Sequence, residues 1–267
     1  MATAAAEGSD RRVSIARVFS RAFGTIGSNP VTTLGIGFLF GALPSLLAAY
    51  AVQQIRAESF VGLGAAATIA IGLFSLLVSI LLGIVAQGVL VRVTVAFSEG
   101  RKASLAESAM AGLRVALPLF LLGVLNAIGL ALGFLLLIVP GVILYLMWSV
   151  AAPALVEERL GPIEALGRSR YLTRGARWQI FGLTLVVLIV YWMASGLVAA
   201  FTIASYGGIA EVAASAAEGP SFGQLAINAV VATVYSAVSG VIQPSLYVEL
   251  RDWKDGPRTE ALAEIFG

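Results

Sequence analysis

Uncharged runs dominate the pattern of polar and apolar positions along this chain. Stretches without Asp, Glu, Lys or Arg cover residues 22–55, 59–91, 115–156, 178–210 and 219–248. An ionised side chain at the centre of a bilayer costs at least ~2.5 kcal/mol, and a spanning helix needs ~20 residues. Each run is therefore long enough to predict at least one helix that crosses a membrane.

The third run is longer than the others, with 42 residues from 115 to 156. A single straight helix of that length would extend roughly 63 Å, about twice the ~30 Å thickness of the hydrocarbon layer. The run must therefore fold back once. Pro140 and Gly141 favour a turn, because Pro lacks an amide hydrogen and Gly tolerates unusual backbone angles. The alternative is a turn at Gly129 to Gly133, with Pro140 as a kink inside the fourth helix.

The predicted fold class is all-α, a polytopic integral membrane helix bundle with six transmembrane helices between residues 13 and 249. The crossings are expected at about 31–52, 62–90, 115–138, 141–156, 178–203 and 223–248. Residues 1–12 are expected to be a disordered cytoplasmic N terminus, and residues 250–267 a cytoplasmic C-terminal tail.

Short amphipathic helices are predicted at the membrane interface. In residues 13–28, apolar residues recur at helical spacing with Arg17 and Arg21 on the opposite side, which indicates arginines directed toward headgroups. A cytoplasmic extension of the first membrane helix is the alternative. Similar segments start at Ser104 before the third crossing and at Pro162 before the fifth. The chain can thus be described as three units, each an interfacial helix followed by a helix hairpin.

Basic residues are distributed unevenly between the two sides of the predicted bundle. Of the 17 Lys and Arg residues, only Arg56 falls in an odd-numbered loop; the other 16 lie in the N-terminal segment, the even-numbered loops or the tail. Lys and Arg accumulate in cytoplasmic loops of membrane proteins. Both termini are therefore predicted to be cytoplasmic.

Composition narrows the possible chemistry. The chain is 59% hydrophobic and 12% charged, with a mean hydropathy of +0.93, and has neither Cys nor His. A thiol nucleophile, the commonest general base and the commonest metal ligand are therefore missing. No catalytic sequence motif occurs either, so we expect no enzymatic activity, no catalytic residues, no cofactor and no metal site. The net charge is only +2, and the basic residues lie in the segments that flank the predicted crossings. We therefore predict no nucleic-acid partner.

Polar side chains inside the predicted crossings are few and uncharged. They are Gln87, Asn126, Asn228 and Gln243. We expect each to make an interhelical hydrogen bond rather than to line a substrate path. Proton-coupled and ion-coupled transporters commonly place charged groups near the middle of the bilayer, and their absence here argues against coupled transport.

The fourth loop has the densest group of basic residues. These are Arg168, Arg170, Arg174 and Arg177. Next to the membrane, each is expected to gain ~1 kcal/mol from anionic lipid. The group is therefore a candidate contact for anionic lipid or for a protein partner. In the alternative interpretation these arginines only set topology and form local salt bridges, some of them with Glu157, Glu158 or Glu249.

Three segments resemble a known family. They are LLLIVPGVILYLMW, APALVEERLGPIEALGRSRYLTRGARWQIFGL and LYVELRDWKDG. They are similar to the bacterial family named after the membrane domain of glycerophosphoryl diester phosphodiesterase, most specifically in Pro140-Gly141, in Ser169-Arg170-x-Leu172-Thr173-x-Gly175 and in the tail. The resemblance implies a six-helix, multi-pass protein of the bacterial inner (cytoplasmic) membrane. In fused members, phosphodiester cleavage belongs to a separate histidine-dependent domain, so the resemblance does not imply that activity here.

The function expected from these observations is that of a non-enzymatic inner-membrane protein, a scaffold or accessory in membrane lipid or envelope physiology. Its expected partners are membrane lipids, anionic ones included, and a protein partner or a second copy of the chain. The alternative is a transporter or channel for an uncharged or amphiphilic solute. A membrane-embedded lipid enzyme is a third hypothesis, for which no converging acid, base and nucleophile can be named.

Overall fold

The computed structural model describes residues 13–44, 46, 47, 49, 64–100, 115–215 and 221–256. All regular structure in these residues is helical. The helices are α1 (Ile15–Ser28), α2 (Pro30–Ala42, with its last turn π-helical over Phe38–Ala42), α3 (Gly64–Ser98), α4 (Ala116–Leu136), α5 (Ile138–Met147), α6 (Ala151–Glu158), α7 (Pro162–Thr173), α8 (Arg177–Tyr206), α9 (Ile209–Ser215) and α10 (Phe222–Asp255).

Five segments of the described chain are long and apolar enough to cross a membrane. They are Ile80–Ser98, Ala116–Leu136, Ile138–Glu158, Arg177–Tyr206 and Phe222–Asp255. The prediction of an all-α membrane protein is confirmed at this level. The first predicted crossing coincides in part with α2, which is apolar but shorter, and continues into residues outside the described part. Six crossings therefore stay a prediction, as do the helical segment at Ser104 and the order of residues 1–12 and 257–267, which also lie outside it.

The turn of the third uncharged run lies at Leu137. Helix α4 ends at Leu136 and α5 begins at Ile138, and Leu137 between them is extended, with φ −169° and ψ 157°. The predicted turn at Pro140 is therefore wrong by three residues, and the alternative turn at Gly129 to Gly133 is also wrong. Pro140 lies in the first turn of α5, where a backbone N–H would have no intrahelical acceptor and its absence costs nothing.

The two glycines at this hairpin allow the helices to approach closely. A Cβ atom placed on Gly141 would lie 2.5 Å from the ring of Phe134, and one on Gly133 would lie 3.1 Å from the Cα of Gly141. Larger residues would force α4 and α5 apart. Gly141 therefore stabilises the hairpin through close packing, while the chain reverses at a residue with no turn signal of its own.

Helix α1 packs against the C-terminal end of α10. Val18, Ala22 and Thr25 are at most 1% exposed, because they face the neighbouring helices. Arg17 and Arg21 turn toward α10 and ion-pair with Glu249. The helix predicted over residues 13–28 is present. Its arginines ion-pair with a carboxylate of the bundle, and their contact with lipid headgroups stays a prediction.

Helix α2 crosses α10 at two small residues. A Cβ atom on Gly37 would lie 2.5 Å from the backbone oxygen of Thr233, and one on Gly41 would lie 2.5 Å from the Cβ of Ser236. Close approach of this kind is how membrane helices gain packing energy without a hydrophobic driving force. The α2–α10 contact thus depends on the missing side chains at both positions.

The buried core lies toward the end of the bundle where α1, α6, α7 and the last turns of α3 and α10 meet. Its fully buried side chains include Val150, Val156, Leu172, Tyr247 and Leu250. Helix α8, by contrast, buries little of its surface. The loose packing of α8 leaves the space in which the cavities described below lie.

Candidate functional site

Interhelical ion pairs gather at one end of the bundle. Arg17 lies 2.6 Å from Glu249, Arg21 lies 3.6 Å from Asp252, Arg92 lies 3.6 Å from Glu157 and Arg168 lies 2.8 Å from Glu158. These pairs bring together α1, α3, α6, α7 and α10. The hydrogen bond with Glu249 is the main cause that raises the pKa of Arg17, with the attraction of that carboxylate acting in the same direction. The charged end of the bundle is therefore a structural network.

Arg168 is held inside this network by two carboxylates. Its Nε donates to both oxygens of Glu158, at 2.9 and 2.8 Å, and its Nη2 binds Asp255. Tyr247 also donates to Glu158, at 2.8 Å. Burial lowers the pKa of Arg168, but the hydrogen bonds to Asp255 and Glu158 outweigh this effect and the net pKa is raised. Arg168 thus fits the predicted alternative of a local salt bridge.

Arg170 and Arg174 are placed differently from Arg168. Both are exposed, and within the described part of the chain neither has an acidic partner. Tyr171 is 50% exposed beside them, and the Nζ atom of Lys254 lies 5.8 Å from the Tyr171 ring and 4.2 Å from the ring of Trp253. The guanidinium of Arg168 also lies 5.4 Å from the Tyr171 ring. We call Arg170, Tyr171, Arg174, Trp253 and Lys254 the basic-aromatic surface: Lys254 joins the two rings, and Arg170 and Arg174 are close to Tyr171 in the sequence.

Arg177, the last of the four predicted arginines, belongs to neither group. It begins α8, is half-buried, and its buried Nε has no hydrogen-bond partner among the described residues. The four arginines, which are indistinguishable in sequence, therefore divide into one salt-bridged residue, two exposed residues and one partly buried residue.

The serine-to-glycine motif at the C-terminal end of α7 holds this helix against the break between α5 and α6. The Ser169 hydroxyl donates to the Met147 carbonyl at 2.8 Å and accepts from the Val150 N–H at 3.3 Å. The Thr173 hydroxyl donates to the Ser169 carbonyl of its own helix at 2.9 Å and also lies 3.3 Å from the Met147 carbonyl. Gly175 has φ +92°, a left-handed conformation that favours glycine, and it packs against Trp253. The helix start predicted at Pro162 is confirmed, and Ser169 and Gly175 have structural roles.

The fourth predicted crossing is interrupted, which the sequence analysis missed. Helix α5 ends at Met147 and α6 begins at Ala151. Pro153 has no N–H to donate to the Ser149 carbonyl four residues earlier, so that carbonyl is free to accept a hydrogen bond from Gln243 Nε2 at 2.6 Å. Pro153 was the signal in the sequence. Non-helical backbone within a membrane requires such partners, because lipid supplies none.

Two of the four polar residues predicted to join helices do so. Gln87 on α3 donates to Gln243 on α10 at 2.5 Å, which confirms that prediction for both side chains. It is wrong for the other two in the described structure: Asn126 and Asn228 line cavities, and the buried Oδ1 of Asn126 has no partner there.

Two cavities border the same face of α10, one on each side of it. The larger, of about 970 Å³, lies among α2, α3, α8, α9 and α10, and the smaller, of about 340 Å³, lies among α4, α5, α8 and α10. Both are lined by Tyr235, Ser239 and Gln243, which follow one another at intervals of four residues. None of the described residues that line them is Asp, Glu, Lys or Arg. This arrangement offers neutral hydrogen-bonding groups inside the membrane.

We expect Ser169→Ala to lower the free energy of unfolding by about 1–3 kcal/mol, because the buried Val150 N–H loses its acceptor and the Met147 carbonyl loses its shorter donor. Thermal unfolding of the full chain in detergent measures the change. Ser205→Ala is the matched control, since the exposed Ser205 hydroxyl binds only within its own helix. Equal melting temperatures for the two variants would contradict the role given to Ser169.

Comparisons with protein-family models, with curated proteins and with solved structures found no match to this chain. Within the described ranges, no group of three or more His, Cys, Asp or Glu residues is arranged to hold a metal ion. The candidate sites are thus the basic-aromatic surface and the two neutral cavities.

Proposed function

We propose that this protein is a non-enzymatic component of the bacterial inner membrane whose basic-aromatic surface binds anionic lipid headgroups. Its role would be that of a scaffold or accessory in membrane lipid or envelope physiology. The observation that supports this most directly is the contrast within α7: Arg168 is neutralised by Glu158 and Asp255, whereas Arg170 and Arg174 are exposed without an acidic partner among the described residues.

The chemistry of this surface suits a headgroup. Guanidinium groups bind phosphate with two parallel hydrogen bonds, and Tyr and Trp rings are enriched where a membrane meets water. Trp178, at the start of α8, is 83% exposed close to the same surface in sequence. A phosphate held by Arg170 or Arg174 would place its acyl chains beside the first turns of α8.

The proposal also includes the orientation of the protein in the membrane. The ion pairs bring basic residues from α1, α3, α7 and α10 to the same end of the bundle as the basic-aromatic surface. Glu211, on α9 at the far end of α8, has no basic residue near it in sequence. By the positive-inside rule, this distribution supports a cytoplasmic location for the basic end and for both termini.

We expect the double variant Arg170→Gln/Arg174→Gln to bind phosphatidylglycerol ~30-fold more weakly than the wild type, since each arginine contributes ~1 kcal/mol. Native mass spectrometry of the detergent-purified protein, titrated with phosphatidylglycerol or phosphatidylcholine, measures this affinity.

Arg159→Gln is the control for this titration, because Arg159 is exposed in the αL position after α6 and lies outside the surface. The control is expected to retain lipid like the wild type. Unchanged phosphatidylglycerol binding in the double variant would overturn the proposal and leave the two arginines as topology determinants.

Kinship with the family of the glycerophosphoryl diester phosphodiesterase membrane domain is part of the proposal. It is supported by contacts between the three segments that carry the resemblance. Ser169 and Thr173 bind the carbonyl of Met147, and Gly175 packs on Trp253 in the tail. The resembling segments therefore form one junction rather than separate hydrophobic stretches.

A transporter or channel for an uncharged or amphiphilic solute is the second candidate. It is favoured by the two cavities, which share the face of α10 that includes Tyr235, Ser239 and Gln243. Solute uptake by proteoliposomes tests it. Absence of uptake across a panel of polyols, neutral amino acid derivatives and neutral lipids would count against transport.

A further inference from the structure

We propose that the larger cavity is a binding site for a neutral amphiphile, a lipid of the diacylglycerol class with hydroxyl and ester groups but no net charge. This inference goes beyond headgroup binding at the basic-aromatic surface and does not depend on it. It would supply the ligand class for the second candidate function, but binding requires no transport.

The size and position of the cavity fit a lipid-like molecule. Its volume of about 970 Å³ is at the upper end of the range of small-molecule sites. It lies between helices long and apolar enough to span a membrane, and it is partly open. None of its described lining residues belongs to the charged network, so a ligand in the cavity need not contact that network.

The lining supplies hydrogen bonds without charge. Gln224, which is half-buried, and Asn228, which is exposed, line the cavity, and neither side chain has a hydrogen-bond partner among the described residues. The Ser239 hydroxyl is buried at its edge and is likewise unpaired there. An unsatisfied polar group in hydrocarbon is costly, so a ligand that offers both donors and acceptors stabilises this lining.

The remaining walls are apolar and would accommodate acyl chains. Leu90, Val198, Ala199 and Val231 contribute to them. A carboxylate or a phosphate would lose its hydration here without meeting a cation, so a charged amphiphile is disfavoured. The combination of neutral polar groups and aliphatic walls therefore favours an uncharged amphiphile as the ligand.

One aromatic contact fixes the edge of the cavity. The ring centroids of Tyr191 on α8 and Tyr235 on α10 are 4.4 Å apart. This is the distance of a favourable aromatic pair. It fastens the loosely packed α8 to α10, so the cavity has a defined wall on that side.

The test uses photoactivatable diacylglycerol bearing a diazirine on one acyl chain, with the full-length protein in phosphatidylcholine nanodiscs. We expect crosslinks to residues 191–203 and 224–240, and labelling that unlabelled diacylglycerol suppresses. A diazirine-bearing fatty acid, which is anionic, is expected to label these segments several times less. Equal labelling by the fatty acid, or no labelling within these segments, would overturn the proposal.

Matched variants distinguish labelling by a ligand in the cavity from labelling by lipid at the outer surface. Val198→Trp is expected to reduce diacylglycerol labelling about tenfold, because an indole in the cavity clashes with the ligand. Leu197→Trp is the control, since Leu197 is 71% exposed and does not line the cavity. Asn228→Leu preserves side-chain size and is expected to reduce labelling about fivefold through the lost hydrogen bonds.

Labelling that is equal in Val198→Trp, Asn228→Leu and the Leu197→Trp control would contradict the site. If Val198→Trp unfolds, Asn228→Leu alone decides. The Arg170→Gln/Arg174→Gln variant is expected to retain wild-type diacylglycerol labelling, so failure of the headgroup proposal and failure of this one are distinguishable.

Discussion

Glu249→Ala will raise the fraction of molecules in which α1 has left the bundle and its arginines are accessible to protease. The Glu249 side chain is only 6% exposed, and its Oε1 accepts hydrogen bonds from Arg17 Nε at 2.8 Å and from the Ser14 N–H at 3.1 Å. Removing one partner of a fully buried ion pair costs about 3–5 kcal/mol. Arg17 is 55% exposed, so its charge stays solvated, and the lost hydrogen bonds of Glu249 give an expected cost of about 3 kcal/mol, at the lower end of that range.

The loss is expected to be local, because only α1 is held by these contacts. A cost of about 3 kcal/mol corresponds to a rise on the order of 100-fold in the open population of α1. Limited trypsin digestion in nanodiscs reports it as faster cleavage after Arg17 and Arg21, followed by mass spectrometry.

Two further variants are compared with Glu249→Ala in this experiment. Glu249→Gln keeps a hydrogen-bond acceptor and is expected to give an intermediate cleavage rate, while Glu211→Ala, on the exposed α9, is expected to match the wild type. Wild-type cleavage in Glu249→Ala would show that apolar contacts of Val18 and Ala22 alone retain α1.

Gly37→Ala and Gly35→Ala will shift stability in opposite directions, although the two glycines are separated by one residue in α2. The Cβ of an alanine at position 37 would lie 2.5 Å from the backbone oxygen of Thr233, whereas the same atom at position 35 meets nothing within 4 Å. Alanine favours a helix over glycine by up to ~1 kcal/mol at either site.

At position 37 the clash is expected to outweigh this preference. Overpacking costs about 1–3 kcal/mol, and here the obstacle is backbone that cannot rotate away, so a net destabilisation of up to about 2 kcal/mol is expected. Gly35→Ala is expected to be neutral or stabilising by up to ~1 kcal/mol. Melting temperatures in detergent measure both, and a shift of the same sign in both variants would refute the α2–α10 contact.

The spans of this protein were predictable because charge is excluded from hydrocarbon. The exact reversal in the third run was not, since Leu137 lies between two stronger turn signals. It was decided by how closely Gly133 and Gly141 pack, which depends on two faces meeting in space. A pattern along one segment does not report which residue lies opposite it.

The candidate sites were less predictable than the spans for the same reason. Arg168 and Arg170 are two residues apart and chemically identical, yet Glu158 and Asp255 bind only the first. The interruption at Trp148 to Val150 had a local signal in Pro153, but the group that stabilises it, Gln243, is 94 residues away from Ser149. Each cavity is built from at least four helices. The sequence singled out polar residues that line them, Asn126 and Asn228 among them, but not that these residues border a cavity.

The interruption between α5 and α6 also has a consequence for biosynthesis. The Ser149 carbonyl receives its donor from Gln243, and Arg17 and Arg21 at the opposite end of the chain receive Glu249 from the same helix. While the ribosome is still synthesising α8, these groups have been made and their partners have not. We therefore expect these groups to be hydrogen-bonded by water or by the insertion machinery until α10 has been synthesised, and a ribosome pause before Phe222 would prolong that stage.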